Sequence, residues 1–189
     1  MLKKEARILF KEKRNTISDT ERMKWDDLIL IQFQTIDLPY VDYVLSFYPI
    51  EDYKEINSFI FTDYLRFKNP NLRICYPKMT AENGEMHAVV CNPDSVFESN
   101  AYGILEPLDT DTAGPELMDI VIIPLLAFDE QGIRVGYGKG YYDRYLKNCR
   151  EDCIRIGLSY FEAVASIDDA NEFDVPLDFC ITPQRTYVF

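Results

Sequence analysis

An apolar run, Asp119-Ile-Val-Ile-Ile123, is followed by a loop with glycines at positions 136, 138 and 140, and a helical pattern begins at Tyr141. Strand, glycine loop, helix is the local unit of an α/β sheet, and no other feature of the chain constrains its fold as tightly. Glycine lacks a Cβ, so its backbone reaches φ > 0 and comes close to a ligand. A glycine loop that feeds a helix N-terminus offers unpaired N–H groups and the positive end of a dipole, which suits phosphate. Arg134 and Lys139 add full positive charge beside that cradle, and Asp143 stands in the first helical turn, where it can hold a divalent cation. The segment reads as a nucleotide-phosphate site. Two common versions are excluded by spacing. Gly138-Lys139 is followed by Gly140 and not by Ser or Thr, and the glycines lie two apart, unlike either the P-loop or the dinucleotide fingerprint.

The remaining pattern extends the α/β reading. Residues 2–14 form an amphipathic helix with Leu2, Ala6, Leu9 and Phe10 on one side. Lys3, Arg7 and Arg14 fall within about 40° of one another, on a stripe that borders the apolar face. Charges in that position can lean into a cleft. Ser18-Asp19-Thr20-Glu21 is a capping box that starts a second helix reaching Phe33. Helices are also predicted over Glu55–Phe67 and Tyr141–Cys149. Strands are predicted at Val41–Tyr48, Leu72–Tyr76, Met86–Cys91, Asp119–Ile123, Ile154–Ser159 and Phe179–Thr182, with a tight turn at Asn83-Gly84 and a surface loop from Pro107 to Pro115. The expectation is one α/β domain over residues 1–189, with a mainly parallel sheet flanked by helices and one antiparallel hairpin. That length can bury a core without disulfide staples.

A formal charge of −12 argues against nucleic acid or an anionic membrane as partner, so an anionic ligand must be held by a local cationic pocket. The five cysteines are odd in number and scattered, as expected of reduced thiols in a cytoplasmic protein. His87 is the only histidine, which leaves zinc without its usual ligand set, and no glycine-flanked serine suggests a hydrolase. No apolar run approaches membrane-spanning length, and the charged opening Met-Leu-Lys-Lys-Glu does not read as a secretory signal.

The segment Phe128-Asp129…Gly132-Ile-Arg134-Val-Gly136-Tyr-Gly138-Lys-Gly140-Tyr-Tyr-Asp143 resembles the signature of the 5-formyltetrahydrofolate cyclo-ligases, also called 5,10-methenyltetrahydrofolate synthetases. Val135 stands where that signature has leucine. Lys3 and Arg7 in the first helix, Glu55-Ile56-Asn57-Ser58, and Gly103-Ile104-Leu105-Glu106-Pro107 extend the resemblance along the chain. It implies the fold type shared with phosphosugar isomerases and CoA transferases. It also implies ATP-dependent closure of 5-formyltetrahydrofolate to 5,10-methenyltetrahydrofolate, with ATP as co-substrate and Mg²⁺ as cofactor, in a monomeric protein. By the same resemblance Arg134 and Lys139 are catalytic. Lys3, Arg7, Arg134, Val135, Gly136, Tyr137, Gly138, Lys139, Gly140, Tyr141 and Tyr142 contact ATP. Glu55, Tyr48 and the stretch from Tyr137 to Tyr141 contact the folate, and Asp143 and Asp178 hold the metal. The competing readings are a non-catalytic folate- or nucleotide-binding protein of the same fold and a sugar-phosphate isomerase, which needs no ATP.

Overall fold

The computed structural model describes residues 1–80, 84–100 and 103–189. Its helices are α1 (Lys3–Asn15), α2 (Asp19–Phe33), α3 (Phe59–Lys68) and α4 (Tyr141–Leu146), with 3₁₀ turns at Glu51–Tyr53 and Pro115–Leu117. Its strands are β1 (Tyr43–Leu45), β2 (Arg73–Met79), β3 (Met86–Cys91), β4 (Phe97–Ser99), β5 (Leu105–Pro107), β6 (Thr112–Ala113), β7 (Ile120–Pro124), β8 (Ala127–Phe128), β9 (Arg134–Val135), β10 (Ile154–Leu158), β11 (Phe179–Ile181) and β12 (Thr186–Val188). The expected mixed α/β architecture is present.

The main sheet runs in the order β12-β11-β10-β7-β1-β2-β3-β6, and β4-β5 and β8-β9 form two small ribbons. From β11 to β2 neighbouring strands are parallel, while β12, β3 and β6 add antiparallel edges. Val44 of β1 pairs with Ile74 on one side and Ile120 on the other, so β1 and β7 sit together at the centre. From β1 the chain moves outward to β2 in one direction, then returns to β7 and proceeds the opposite way. The order therefore reverses between β1 and β7. In open α/β sheets the crevice beyond the carboxyl ends of strands at such a reversal is where ligands bind.

The central strands β1 and β7 are near-continuous apolar runs, because both faces of the sheet are covered there. Val44, Ile74, Ile120, Ile122 and Ile156 point to a face packed by Ile29 and Phe33 of α2 and by Phe61 and Leu65 of α3. Their alternating neighbours Leu45, Cys75, Val121 and Ile123 point to the other face, against Tyr145 and Leu146 of α4. Phe33 and Phe61 are fully buried and meet edge to face at 5.3 Å. Truncating either to alanine costs about 3–5 kcal/mol. The capping box of α2 is formed as expected, with Glu21 N bonded to Ser18 Oγ and Ser18 N to Glu21 Oε2.

Helix α1 lies apart from both layers. Ala6 and Phe10 pack with Ala127 and Val135 of the β8-β9 ribbon, with Leu126 just before it and with Ile167. That contact sets the basic stripe of α1 beside the glycine loop. Three local expectations change. The third helix begins at Phe59 and not Glu55, because Glu51–Tyr53 forms a 3₁₀ turn and Lys54 takes φ 48°. Helix α4 stops at Leu146, three residues short of Cys149. The loop from Pro107 to Pro115 contains the edge strand β6. Of the expected Asn83-Gly84 turn, Asn83 lies outside the described residues, while Gly84 has φ 67°.

Candidate active site

A cavity of about 480 Å³ opens beyond the carboxyl ends of β1 and β7, with Phe47 and Tyr48 on one side and Pro124 on the other. Its two ends differ in chemistry, and the glycine loop belongs to the charged one.

Strand β9 delivers Arg134 and Val135, and the loop then passes through Gly136 to Gly140 before α4 begins at Tyr141. Gly138 has φ 93° and Gly140 has φ 69°, conformations that an L side chain resists. A Cβ on Gly138 would also stand 3.1 Å from the guanidinium carbon of Arg7. Arg7 lies along the loop, donating from Nε to the Gly136 carbonyl at 2.9 Å. Because α4 has only six residues, its dipole is short, and the charge at this end comes chiefly from side chains. Lys3, Arg7, Arg134 and Lys139 line the cavity together with Asp143 and Asp174. The cations outnumber the carboxylates, so a chain of formal charge −12 carries a locally positive end.

These charges are pre-arranged by pairing. Lys3 Nζ reaches both carboxylate oxygens of Asp174, at 2.7 and 2.6 Å. Arg134, buried in the wall, donates from Nη2 to Asp143 Oδ1 at 2.7 Å and from Nη1 to the Val175 carbonyl. Burial lowers the Arg134 pKa, and the neighbouring Asp143 opposes that shift. Asp143 Oδ1 also accepts the Val175 amide at 3.2 Å. Among the described residues no three His, Cys, Asp or Glu side chains are grouped to hold a metal. Magnesium is commonly bound by one or two carboxylates plus substrate phosphates, and Asp143 and Asp174 at a cationic loop fit that mode.

The other end is apolar. Tyr48 meets Phe97 at 4.8 Å and Phe59 at 5.0 Å, and Pro77, Met79, Ile104 and Leu105 continue the wall. Glu55 sits between the two ends. It is buried, accepting the Tyr137 hydroxyl on Oε1 at 2.5 Å and the Ile50 amide on Oε2 at 2.9 Å. Burial pushes its pKa up, while Tyr137, the Ile50 amide and Arg14 pull it back. Glu55 is thus a buried loop carboxylate, not a helix N-terminal acid. Tyr142 also lines the cavity, and its buried hydroxyl has no hydrogen-bond partner among the described residues. Burial and the Glu55 charge raise its pKa, and the Arg134 charge opposes them.

The fold brings Lys3, Arg7, Tyr48, Glu55, Arg134, Gly136 to Tyr142 and Asp143 to one cavity. It does not bring Val135, which is buried under α1. Nor does it bring Asp178 to Asp143. Asp178 stands at the amino-terminal end of β11, where Arg155 grips it from Nε at 2.8 Å and Nη2 at 2.6 Å. Asp174 is the carboxylate that sequence reasoning missed. It lies in an acid-rich stretch with no periodicity to single it out.

Residues 2–183 match the model for the 5-formyltetrahydrofolate cyclo-ligase family. A 5-formyltetrahydrofolate cyclo-ligase of Mycoplasma pneumoniae is 28% identical over 177 residues, 92% of this chain and 93% of that protein. The NMR structure of Aquifex aeolicus 5,10-methenyltetrahydrofolate synthetase aligns with a TM-score of 0.80 at 27% identity, covering 100% of this chain and 93% of the other. The structure of a 5,10-methenyltetrahydrofolate synthetase from Mycoplasma pneumoniae gives a TM-score of 0.75 at 28% identity, covering 96% and 98%.

Proposed function

The chain belongs to the 5-formyltetrahydrofolate cyclo-ligase family, and from that premise we propose that it closes 5-formyltetrahydrofolate to 5,10-methenyltetrahydrofolate, driven by MgATP. A formamide carbon is a poor electrophile. In the proposed sequence the formyl oxygen attacks the γ-phosphorus of ATP and ADP leaves, giving an imino-phosphate. The N10 lone pair then attacks the former formyl carbon and forms the new C–N bond. Phosphate departs with the original formyl oxygen, and the N10 proton passes to solvent.

Phosphoryl transfer asks the protein mainly for position and charge neutralisation. Arg134, fixed by Asp143 and the Val175 carbonyl, would neutralise the transferring phosphoryl group. Lys3, Arg7, Lys139 and the amides of the glycine loop would receive the triphosphate. A magnesium ion bound with it, held by Asp143 and Asp174, would neutralise its oxygens. Glu55 would accept hydrogen bonds from the reduced pterin against the aromatic wall of Tyr48.

The observation that carries this reading is the position of Tyr137. It belongs to the glycine loop, and its hydroxyl bonds Glu55 at 2.5 Å, so one side chain joins the two ends of a single cavity. The test is to mix pure protein, 5-formyltetrahydrofolate and MgATP and to follow the methenyl chromophore, omitting each component in turn. Product that requires all three supports the reading. Folate binding without turnover points to the non-catalytic alternative.

A further inference from the structure

Arg14 is placed oddly for a cation. It comes from the last turn of α1, is only 6% exposed and does not line the ligand cavity. Its hydrogen-bond partners are neutral: Nη2 donates to the Leu125 carbonyl at 2.5 Å and Nη1 to the Tyr137 hydroxyl at 3.1 Å. Its Nε has no partner among the described residues. The carboxylate that answers its charge is one side chain further on, because Tyr137 gives its own hydroxyl proton to Glu55.

A phenol has one proton and can accept as well as donate. With Arg14 occupying the acceptor side, the Tyr137 proton has one direction left, toward Glu55, and the chain Arg14–Tyr137–Glu55 is polarised along its length. Leu125 directly follows β7, so the relay is anchored to the rigid centre of the sheet. We infer that Arg14 is a positioning residue for the reaction: it fixes the Tyr137 hydroxyl on Glu55 and so sets the face these two side chains turn toward the folate. The inference rests on the ring-closing reading above. The ionisable side chains interacting with Glu55 are Tyr137 of the glycine loop, Tyr142 of α4 and Arg14 of α1. Of these Arg14 alone is a cation, and it opposes the upward push that burial gives the Glu55 pKa.

The experiment compares wild type with Arg14→Met and Arg14→Lys, each checked for folding by circular dichroism. In Arg14→Met the KM for 5-formyltetrahydrofolate rises roughly tenfold or more, the scale of one charge-assisted hydrogen bond, while the KM for MgATP stays within about twofold. The acid limb of kcat/KM for folate moves to higher pH. Arg14→Lys restores that limb but not the folate KM, since an ammonium keeps the charge without the fork. Equal losses for both substrates that track a lowered Tm, with the pH profile unmoved, would overturn the inference and leave Arg14 as an anchor for α1. If Arg14→Met does not fold, the folate-specific KM change in Arg14→Lys decides. If wild type makes no methenyl product, the ring-closing reading falls separately. The Glu55 carboxyl can then still be titrated by ¹³C NMR without substrate. An upward move on loss of the Arg14 charge upholds the relay, and an unmoved titration ends it.

Discussion

At one end of the cavity the side chains are charged and already paired, Lys3 with Asp174 and Arg134 with Asp143. At the other they are rings and aliphatic chains, Tyr48 against Phe59 and Phe97 beside Met79 and Leu105. The charged end is assembled from two helices, a ribbon and two loops, and its ion pairs hold long side chains in place before any ligand arrives. The apolar end draws on β2, β4, β5, the segment after β1 and the start of α3, and holds shape by packing. On the proposed reaction the difference separates two tasks: preorganised charge would act on a transferring phosphoryl, whereas an apolar wall binds by the surface it removes from water.

The sharpest way to break this division is Arg134→Ala. Turnover should fall by roughly 10³-fold or more, on the scale of arginine in other phosphoryl transfers, with folate affinity nearly kept. Single-turnover kinetics on folded variant checks it, and activity within a few-fold of wild type would remove Arg134 from the chemistry. Tyr48→Ala probes the opposite end. Losing its ring contacts should raise the folate KM by about tenfold with the MgATP KM unchanged, and a shift in both would show that the ends are not separable.

A control belonging to neither end is Asp26, buried beneath Tyr160, whose hydroxyl it accepts at 2.7 Å. Burial raises its pKa from 3.8 to about 6, against the Tyr160 hydroxyl, the Asn57 amide and the Arg22 charge. The folded state therefore prefers the protonated acid. The stability this contributes is fully present below about pH 4 and is lost as pH rises through about 6, an effect on the order of 2 kcal/mol. Urea midpoints of Asp26→Asn should lack this pH dependence, and parallel curves for the two proteins would refute the assignment. Smallest is Asp143→Asn, which should shift the magnesium titration of activity a few-fold and leave folate binding alone. An unchanged titration would move the metal role to Asp174.

How much of this was legible in the sequence follows from how local each feature is. The glycine loop, the capping box at Ser18 and the basic border stripe of α1 are set by neighbours a few residues apart, and all of them appear where expected. Glu55 lines the cavity, but its local backbone differs from the expectation. Periodicity suggested a helix from residue 55, yet the 3₁₀ turn and the left-handed Lys54 turn the carboxylate inward. Asp178 was misjudged because nothing local shows that Arg155, across the β10–β11 pair, takes both its oxygens. Asp174 pairs at the cavity with Lys3, which is distant in sequence. Arg14 shows the border between these cases, since its helical angle pointed toward a cleft while its bond to Tyr137 is purely tertiary.

The central claim is that a phosphoryl group bound at the charged end passes to the formyl oxygen of a folate bound at the apolar end. Carrying out the reaction with ¹⁸O in the formyl group tests it most directly, by mass spectrometry of the released phosphate. One labelled oxygen per phosphate is the predicted result. Phosphate without label, formed alongside methenyl product, would contradict the account.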